Sequence, residues 1–314
     1  MIKLFLNGYF KSGSTRMWWI IKRSNPEFLH IYEPLHPEWL ELKDQTFSSL
    51  HELPVWEDYH RPEFKCIERE WVKKWRELRL KYESEIIPRE IDEVSPLFDL
   101  VHELSIPVVI QPNRCHLILD ALTKRYKCKF IHIIRNPIDT WIAHTIEPVY
   151  PILTFSKKIK KLFKKILFSI RTNKFGRYFL LQKMPKRDSA GNSYSLESVY
   201  KLANKYFGGC VECADHLDKL LVVWALFNYE AWKQSGDCGL IIYYEEIVVN
   251  PNYWFKIIEN FGNIKLDTRY AKELSPKFIT VSDELREEFV KRLDRLGLLD
   301  IVEKFYPPER WFMV

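Results

Sequence analysis

Glycine is scarce in this 314-residue chain, ten in all, and cysteine is scarcer at six. So few glycines exclude flexible low-complexity linkers. The cysteines (Cys66, Cys115, Cys128, Cys210, Cys213 and Cys238) are too thinly spread for a disulfide-stapled scaffold and fit reduced thiols. Cys210 and Cys213 form a lone C-x-x-C with His216 nearby, but no second ligand pair has matching spacing, so no metal is expected. No uninterrupted apolar run has the length needed to cross a bilayer. The first strand is expected to begin within two or three residues, so no cleavable leader is expected and the expected location is the cytoplasm. No internal repeat is visible.

Acidic residues are missing from one block altogether. From Pro148 to Arg187 there are twelve Lys or Arg and no Asp or Glu, although the whole chain carries a net charge of only +6, so the remainder is net acidic. Lys157 to Ile170 alternates lysine pairs with Ile, Leu and Phe at helical spacing and reads as a basic amphipathic helix. Residues 148–187 are therefore expected to be a basic amphipathic insertion. Its part from 156 to 187 could meet an anionic membrane surface or an acidic glycan, which leaves peripheral membrane contact open, or could pack as an ordinary solvated helix. Nucleic acid is not expected as a partner, because no nucleic-acid motif accompanies the block.

The chain is otherwise that of an ordinary globular protein, 46% hydrophobic and 29% charged. Its most informative stretch is Gly8-Tyr9-Phe10-Lys11-Ser12-Gly13-Ser14-Thr15, which follows the apolar run Ile2 to Leu6 and precedes a helical segment from Arg16 to Lys22. A strand, a tight loop and a helix N-terminus bind anionic phosphate, because backbone N–H groups converge there and the helix dipole favours negative charge. The spacing nearly matches the nucleotide-binding pattern G-x-x-x-x-G-K-[ST]. Ser14 stands at the lysine position, however, and the lysine comes three residues earlier, at Lys11. A kinase or ATPase grip on the β- and γ-phosphates is thus missing. A plain Gly/Ser turn with no ligand stays open as the lesser alternative for this loop.

Two further segments follow in order. Lys129 to Ile134 reads as a buried strand that runs into Arg135-Asn136-Pro137-Ile138-Asp139 and an apolar helix through Trp141 and Ile142. Leu240 to Ile247 ends in Tyr243-Tyr244-Glu245-Glu246 and is followed by Asn250-Pro251, an amphipathic run from Trp254 to Phe261, and Gly262. The acidic pair there reads as a solvated turn and helix cap. Together these three segments resemble the PAPS-dependent sulfotransferases, and their order and strand contexts carry the resemblance more than any one motif does. It implies a P-loop NTPase-like sulfotransferase fold: an α/β protein with a central parallel sheet flanked by helices and with helical insertions. Residues 1–314 would form one such domain, with 35–105 an acceptor-side helical insertion.

The same resemblance implies an activity, the transfer of a sulfuryl group from PAPS to an acceptor hydroxyl, possibly a carbohydrate's, with PAP released. Lys11, Ser12, Gly13, Ser14 and Thr15 would hold the 5′-phosphosulfate and Arg135 the 3′-phosphate. Lys11 would also neutralise charge growing on the bridging oxygen. The family's serine eight residues after the arginine is absent, since that position is Ala143, and Thr140 is a partial substitute at best. Two alternatives stay open: a P-loop nucleoside or small-molecule kinase, and a catalytically degenerate relative that binds an anionic ligand.

The base that takes the acceptor's proton is harder to place. The cytosolic branch of the family uses a histidine after a central strand, but Val108-Val109-Ile110 is followed by Gln111-Pro112-Asn113-Arg114, and His116 falls inside the expected next helix. The carbohydrate and tyrosyl-protein branches use a glutamate after the second strand, and the chain is closer to them. Here Leu29 to Tyr32 is followed by Glu33-Pro34, so Glu33 is the candidate base, with an extended backbone imposed by the proline. His36 is the runner-up, its ordinary pKa near neutrality suiting proton removal. A helical run from Glu63 to Glu85 carries an apolar stripe of Trp71, Val72, Trp75, Leu78 and Tyr82 that suits core packing, while Trp39 or Trp56 could stack on a sugar or phenol.

Overall fold

The short apolar runs become strands, four of them buried nearly from end to end as in a parallel sheet covered on both faces, while the last, at the sheet edge, is fully buried only at Ile242. In the computed structural model, which describes residues 1–44, 53–146, 196–209, 211–274 and 283–312, they are β1 (Ile2–Gly8), β2 (Leu29–Tyr32), β3 (Val108–Gln111), β4 (Lys129–Ile134) and β5 (Gly239–Tyr243). All pair in parallel in the order β2-β3-β1-β4-β5. The helices used below are α1 (Ser14–Ser24), α2 (Glu68–Arg79), α3 (Ile91–His102), α4 (Leu119–Tyr126), α5 (Pro137–Ile146), α6 (His216–Lys233), α7 (Tyr244–Val249) and α8 (Pro251–Gly262).

Strand order locates the ligand edge. The chain leaves β1 toward β2 on one side and leaves the neighbouring β4 toward β5 on the other, so the two connections diverge and open a crevice at the strands' C-terminal ends. Gly8 pairs with Ile133 and Tyr32 with Gln111, which places the turns after β1 and β4, and those after β2 and β3, side by side along that edge.

Two apolar clusters hold the sheet. One joins its strands to Met17, Trp18 and Ile21 of α1, Phe98 of α3, and Phe255 and Ile258 of α8. The other is built on α6, thirteen of whose eighteen residues are buried, together with Tyr9, Ile134, Trp141, Phe289 and Trp311. A helix buried around most of its circumference must be apolar on nearly every side, and α6 is.

Between β2 and β3 the aromatic residues pack on one another. Trp39 lies 5.3 Å from Tyr59 and 5.7 Å from Trp75, ring centre to ring centre, and Phe64 lies 5.4 Å from Trp71. Trp39 and Trp56 are both buried, so neither is offered to an acceptor as a stacking platform. The single helix expected from Glu63 to Glu85 is instead a short one, Pro62–Lys65, followed by α2, which stops at Arg79; Trp71, Trp75 and Leu78 do face the core. No helix among the described residues is long and apolar enough to cross a membrane. The basic block 148–187, with Lys157 to Ile170, lies outside the described residues, as does Cys210.

Candidate active site

The loop from Tyr9 to Gly13 closes tightly because two of its residues take left-handed backbone conformations, Lys11 at φ 66° and Gly13 at φ 90°. Gly13 also has no room for a side chain, since a Cβ there would meet the Tyr244 ring at 2.3 Å. A Cβ on Gly8 would lie 2.4 Å from Ser12 Oγ, so the loop curls back onto the strand end through a second glycine. Gly13 is the N-cap of α1, and no side chain caps that end of the helix. Its first N–H groups therefore face the loop, as an anion site requires. Ser12 Oγ is buried and has no hydrogen-bond partner among the described residues.

Arg135 comes to this loop from the end of β4. One Nη donates to the Lys11 carbonyl at 3.1 Å, the other lies 3.5 Å from Asp139 Oδ2, and the guanidinium sits 5.1 Å from the centre of the Tyr244 ring. Trp224 Nε1 fixes the turn by donating to the Arg135 carbonyl at 3.0 Å. Arg135 Nε is buried and without a hydrogen-bond partner among the described residues, so the cation retains donor capacity. Lys11 and Arg135, 124 residues apart in sequence, thus converge as expected.

Glu245 braces the turn from below. Its Oε1 accepts from the Asn136 N–H at 3.0 Å and Nδ2 at 2.8 Å, and its Oε2 accepts from the Tyr306 hydroxyl at 2.6 Å. It is buried, which corrects the reading of a solvated acidic pair; only Glu246 is partly exposed. Burial raises the Glu245 carboxyl above its ordinary value, against the pull of the Tyr306 and Asn136 hydrogen bonds and of Arg135. Thr140 is buried in α5, while the side chain of Ala143 lies outside the described residues.

At the other end of the edge, Glu33 follows β2 with φ 41°, not extended as Pro34 suggested. A left-handed backbone costs a residue of this kind roughly 1–2 kcal/mol. The surroundings hold it there: its N–H donates to the Gln111 carbonyl at 2.9 Å, Asn113 Nδ2 donates to Oε1 at 2.9 Å, and Arg114 Nη1 lies 3.3 Å from Oε2. The turn points the carboxylate back toward β3. Burial pushes this carboxyl up, but Arg114, His36, and the Asn113 and Tyr32 hydrogen bonds outweigh it and leave the value below normal. Glu33 is therefore a carboxylate at neutral pH.

Hydrogen bonds connect Glu33 to the loop and helix start after β1. Asn113 Oδ1 accepts from Ser14 Oγ at 3.4 Å, and Gln111 Nε2 donates to Ser14 Oγ at 3.1 Å. Thr15 Oγ1 is 3.0 Å from the Tyr32 hydroxyl. Ser14, at the lysine position of a kinase loop, thus turns its side chain to β3.

The histidine candidates are less suited to proton removal. His36 is buried, accepts from the Glu38 N–H at 3.1 Å through Nδ1, and is lowered to about 3 by burial and by Arg114. His116 precedes α4 and does not lie within it. It is wholly buried, its ring stacked on Phe227 at 4.5 Å and its Nδ1 2.8 Å from Asn7 Nδ2. Asn7 Nδ2 also reaches His132 Nδ1 at 3.0 Å, while His132 Nε2 lies 2.8 Å from Asn228 Oδ1, a neutral network inside the core.

Sequence reasoning missed two residues, Arg114 and Glu85. Arg114 Nε donates to Glu85 Oε2 at 2.7 Å, and its guanidinium lies 5.0 Å from the Phe10 ring centre. The visible signal was a polar Gln-Pro-Asn-Arg run directly after an apolar strand.

The fold and these turns define an α/β protein with a tight loop and an uncapped helix N-terminus at the switch point of a parallel sheet, a cation across the loop on one side and a carboxylate on the other. No family model matches the chain. It is 38% identical over 322 residues to a protein of Archaeoglobus fulgidus described as an uncharacterized protein, an alignment covering 99% of this chain and all of the other, and it belongs to one family with that protein. Solved structures similar to it include a sulfotransferase from Alicyclobacillus acidocaldarius, at 12% identity and TM-score 0.40 over 97% of this chain and 95% of the other. Mouse sulfotransferase SULT7A1 complexed with PAP is similar at 13% identity and TM-score 0.39, over 96% and 87%. A sulfotransferase domain of the curacin biosynthetic pathway is similar at 13% and 0.35, over 90% and 81%.

Proposed function

We propose that this site transfers a sulfuryl group from PAPS to an acceptor hydroxyl and releases PAP. The observation that supports it most is the bracketing of one phosphate loop by Arg135 on the β4 side and by ionised Glu33 on the β2 side, with Ser14 where a kinase has lysine. The open N-terminus of α1 and the unpartnered Ser12 hydroxyl suit a phosphosulfate. Arg135, with its spare Nε, suits the 3′-phosphate, which ATP lacks.

Sulfuryl transfer needs in-line placement, charge stabilisation at the leaving oxygen and a proton acceptor. In this reading Lys11, a residue of the loop, meets the charge growing on the bridging oxygen. Glu33 is a weak base in the resting site, so it takes the proton as the acceptor oxygen bonds to sulfur and becomes acidic. The segment 35–105, which carries Glu85 and reaches Arg114, is the acceptor side. The acceptor is a hydroxyl, a carbohydrate's among the first to try.

The test is transfer of labelled sulfuryl from PAPS to a panel of sugars, phenols and alcohols, with PAP release measured in parallel. Transfer that falls by orders of magnitude in Lys11→Ala is expected. Phosphoryl transfer from ATP with magnesium, and none from PAPS, would replace this reading with a kinase.

A further inference from the structure

One guanidinium serves two carboxylates beside the proposed base. The Arg114 side chain is 2% exposed; its shorter contact, 2.7 Å, goes to Glu85, equally buried at 2%, and its longer one, 3.3 Å, goes to Glu33 at 14%. Phe10 of the phosphate loop lies beneath the guanidinium, so Arg114 is held from three elements at once. Glu85 comes from the segment between α2 and α3 and meets Arg114 at Nε, whereas Glu33 meets it at Nη1.

We propose that Glu85 is a positioning residue which, by holding Arg114 and sharing its charge, sets the strength of Glu33 as a base. The inference rests on the reading of Glu33 as the proton acceptor. The groups that face Glu33 are Arg114 and Asn113 from the turn after β3, Tyr32 from β2, His36 from the turn after it, and Tyr59 from the helical turn Glu57–His60. Burial keeps both tyrosines well above their ordinary values and His36 far below its own, so all three are neutral near pH 7. Near pH 7 this leaves Arg114, held by Glu85, as the charge beside Glu33, with His36 adding to it only in the acid range. A second carboxylate on the same cation makes Glu33 a stronger base than Arg114 alone would allow, because a like charge disfavours ionisation and a shared cation favours it less.

Glu85→Gln keeps an oxygen for Arg114 Nε and removes only the charge. In the full chain labelled with ¹³Cδ-glutamate, the Glu33 carboxyl signal, assigned by its loss in Glu33→Gln, should titrate about one pH unit lower in Glu85→Gln than in wild type. The acid limb of kcat/KM should move down with it, and the plateau should fall roughly threefold as the base weakens. PAP affinity should not change. Glu85→Ala, which admits water beside Arg114, should give a smaller fall of the same sign and serves if the glutamine variant does not fold. A Glu33 midpoint that stays in place or rises in the folded variants overturns the proposal. A midpoint that falls while the rate profile stays fixed upholds it and removes Glu33 from the base role.

Discussion

Glu33 and Glu245 follow the two outer strands of the sheet, β2 and β5, and burial acts on both in the same direction, yet they end with opposite shifts. Glu245 is surrounded by neutral donors, the Asn136 amides and the Tyr306 hydroxyl, with Arg135 a lesser influence, and burial prevails. Glu33 has a guanidinium at 3.3 Å as well as an amide at 2.9 Å, and burial is overcome. Hydrogen bonds satisfy a buried carboxyl, but a cation is what keeps it charged. One glutamate can therefore brace a turn while the other stays ready to accept a proton.

The largest expected effect separates the two by function. Glu33→Gln should lower turnover about 10²- to 10⁴-fold with little loss of PAP affinity, whereas Glu245→Gln, which preserves most of the brace, should stay within about twofold of wild type. Equal losses in both variants would erase the distinction. Next in size, Arg135→Ala should weaken PAP binding by about 1.5–3 kcal/mol, the worth of hydrogen bonds to a charged group, and change turnover at saturation far less. Calorimetry with PAP and a turnover assay at saturating PAPS read the two quantities separately.

Stability sharpens the comparison from the other side. Glu245→Ala leaves the Asn136 amides and the Tyr306 hydroxyl buried without their acceptor and should cost about 1–3 kcal/mol in urea unfolding. The smallest effect is in pH dependence. Glu33 lies below its unfolded value when folded, so its contribution is present above that value and is lost as pH falls through the folded one. Glu245 lies above its unfolded value, so its contribution is present at low pH and is lost as pH rises through the folded one. The Tm of wild type relative to Glu33→Gln should therefore rise with pH through the acid range, and relative to Glu245→Gln it should fall. Slopes of one sign would mean that the two sites are alike.

The half of this site around the loop after β1 and the turn after β4 was legible in the sequence, and the half around Glu33 largely was not. β2 and β4 occupy Leu29–Tyr32 and Lys129–Ile134 as expected, because short apolar runs closed by turn residues leave little freedom. The convergence of Lys11 and Arg135 follows from where the paired strands β1 and β4 end. The Glu33 backbone did not follow its local signal, since the Gln111 carbonyl, Asn113 and Arg114 outweigh the preference set by Pro34. Trp39 and Trp56 looked equally suited to a pocket wall or a core, and burial among other rings decides for the core. The Glu85–Arg114 pair spans 29 residues and two elements, a tertiary contact that no periodicity announces.

Calorimetry of the purified protein with PAP and with ATP tests the central claim most directly, because the two ligands differ at the 3′-phosphate that Arg135 is proposed to hold. The account predicts that PAP binds more tightly than ATP, without magnesium, and that Arg135→Ala removes the preference. ATP binding as tight as PAP or tighter, and dependent on magnesium, would contradict it.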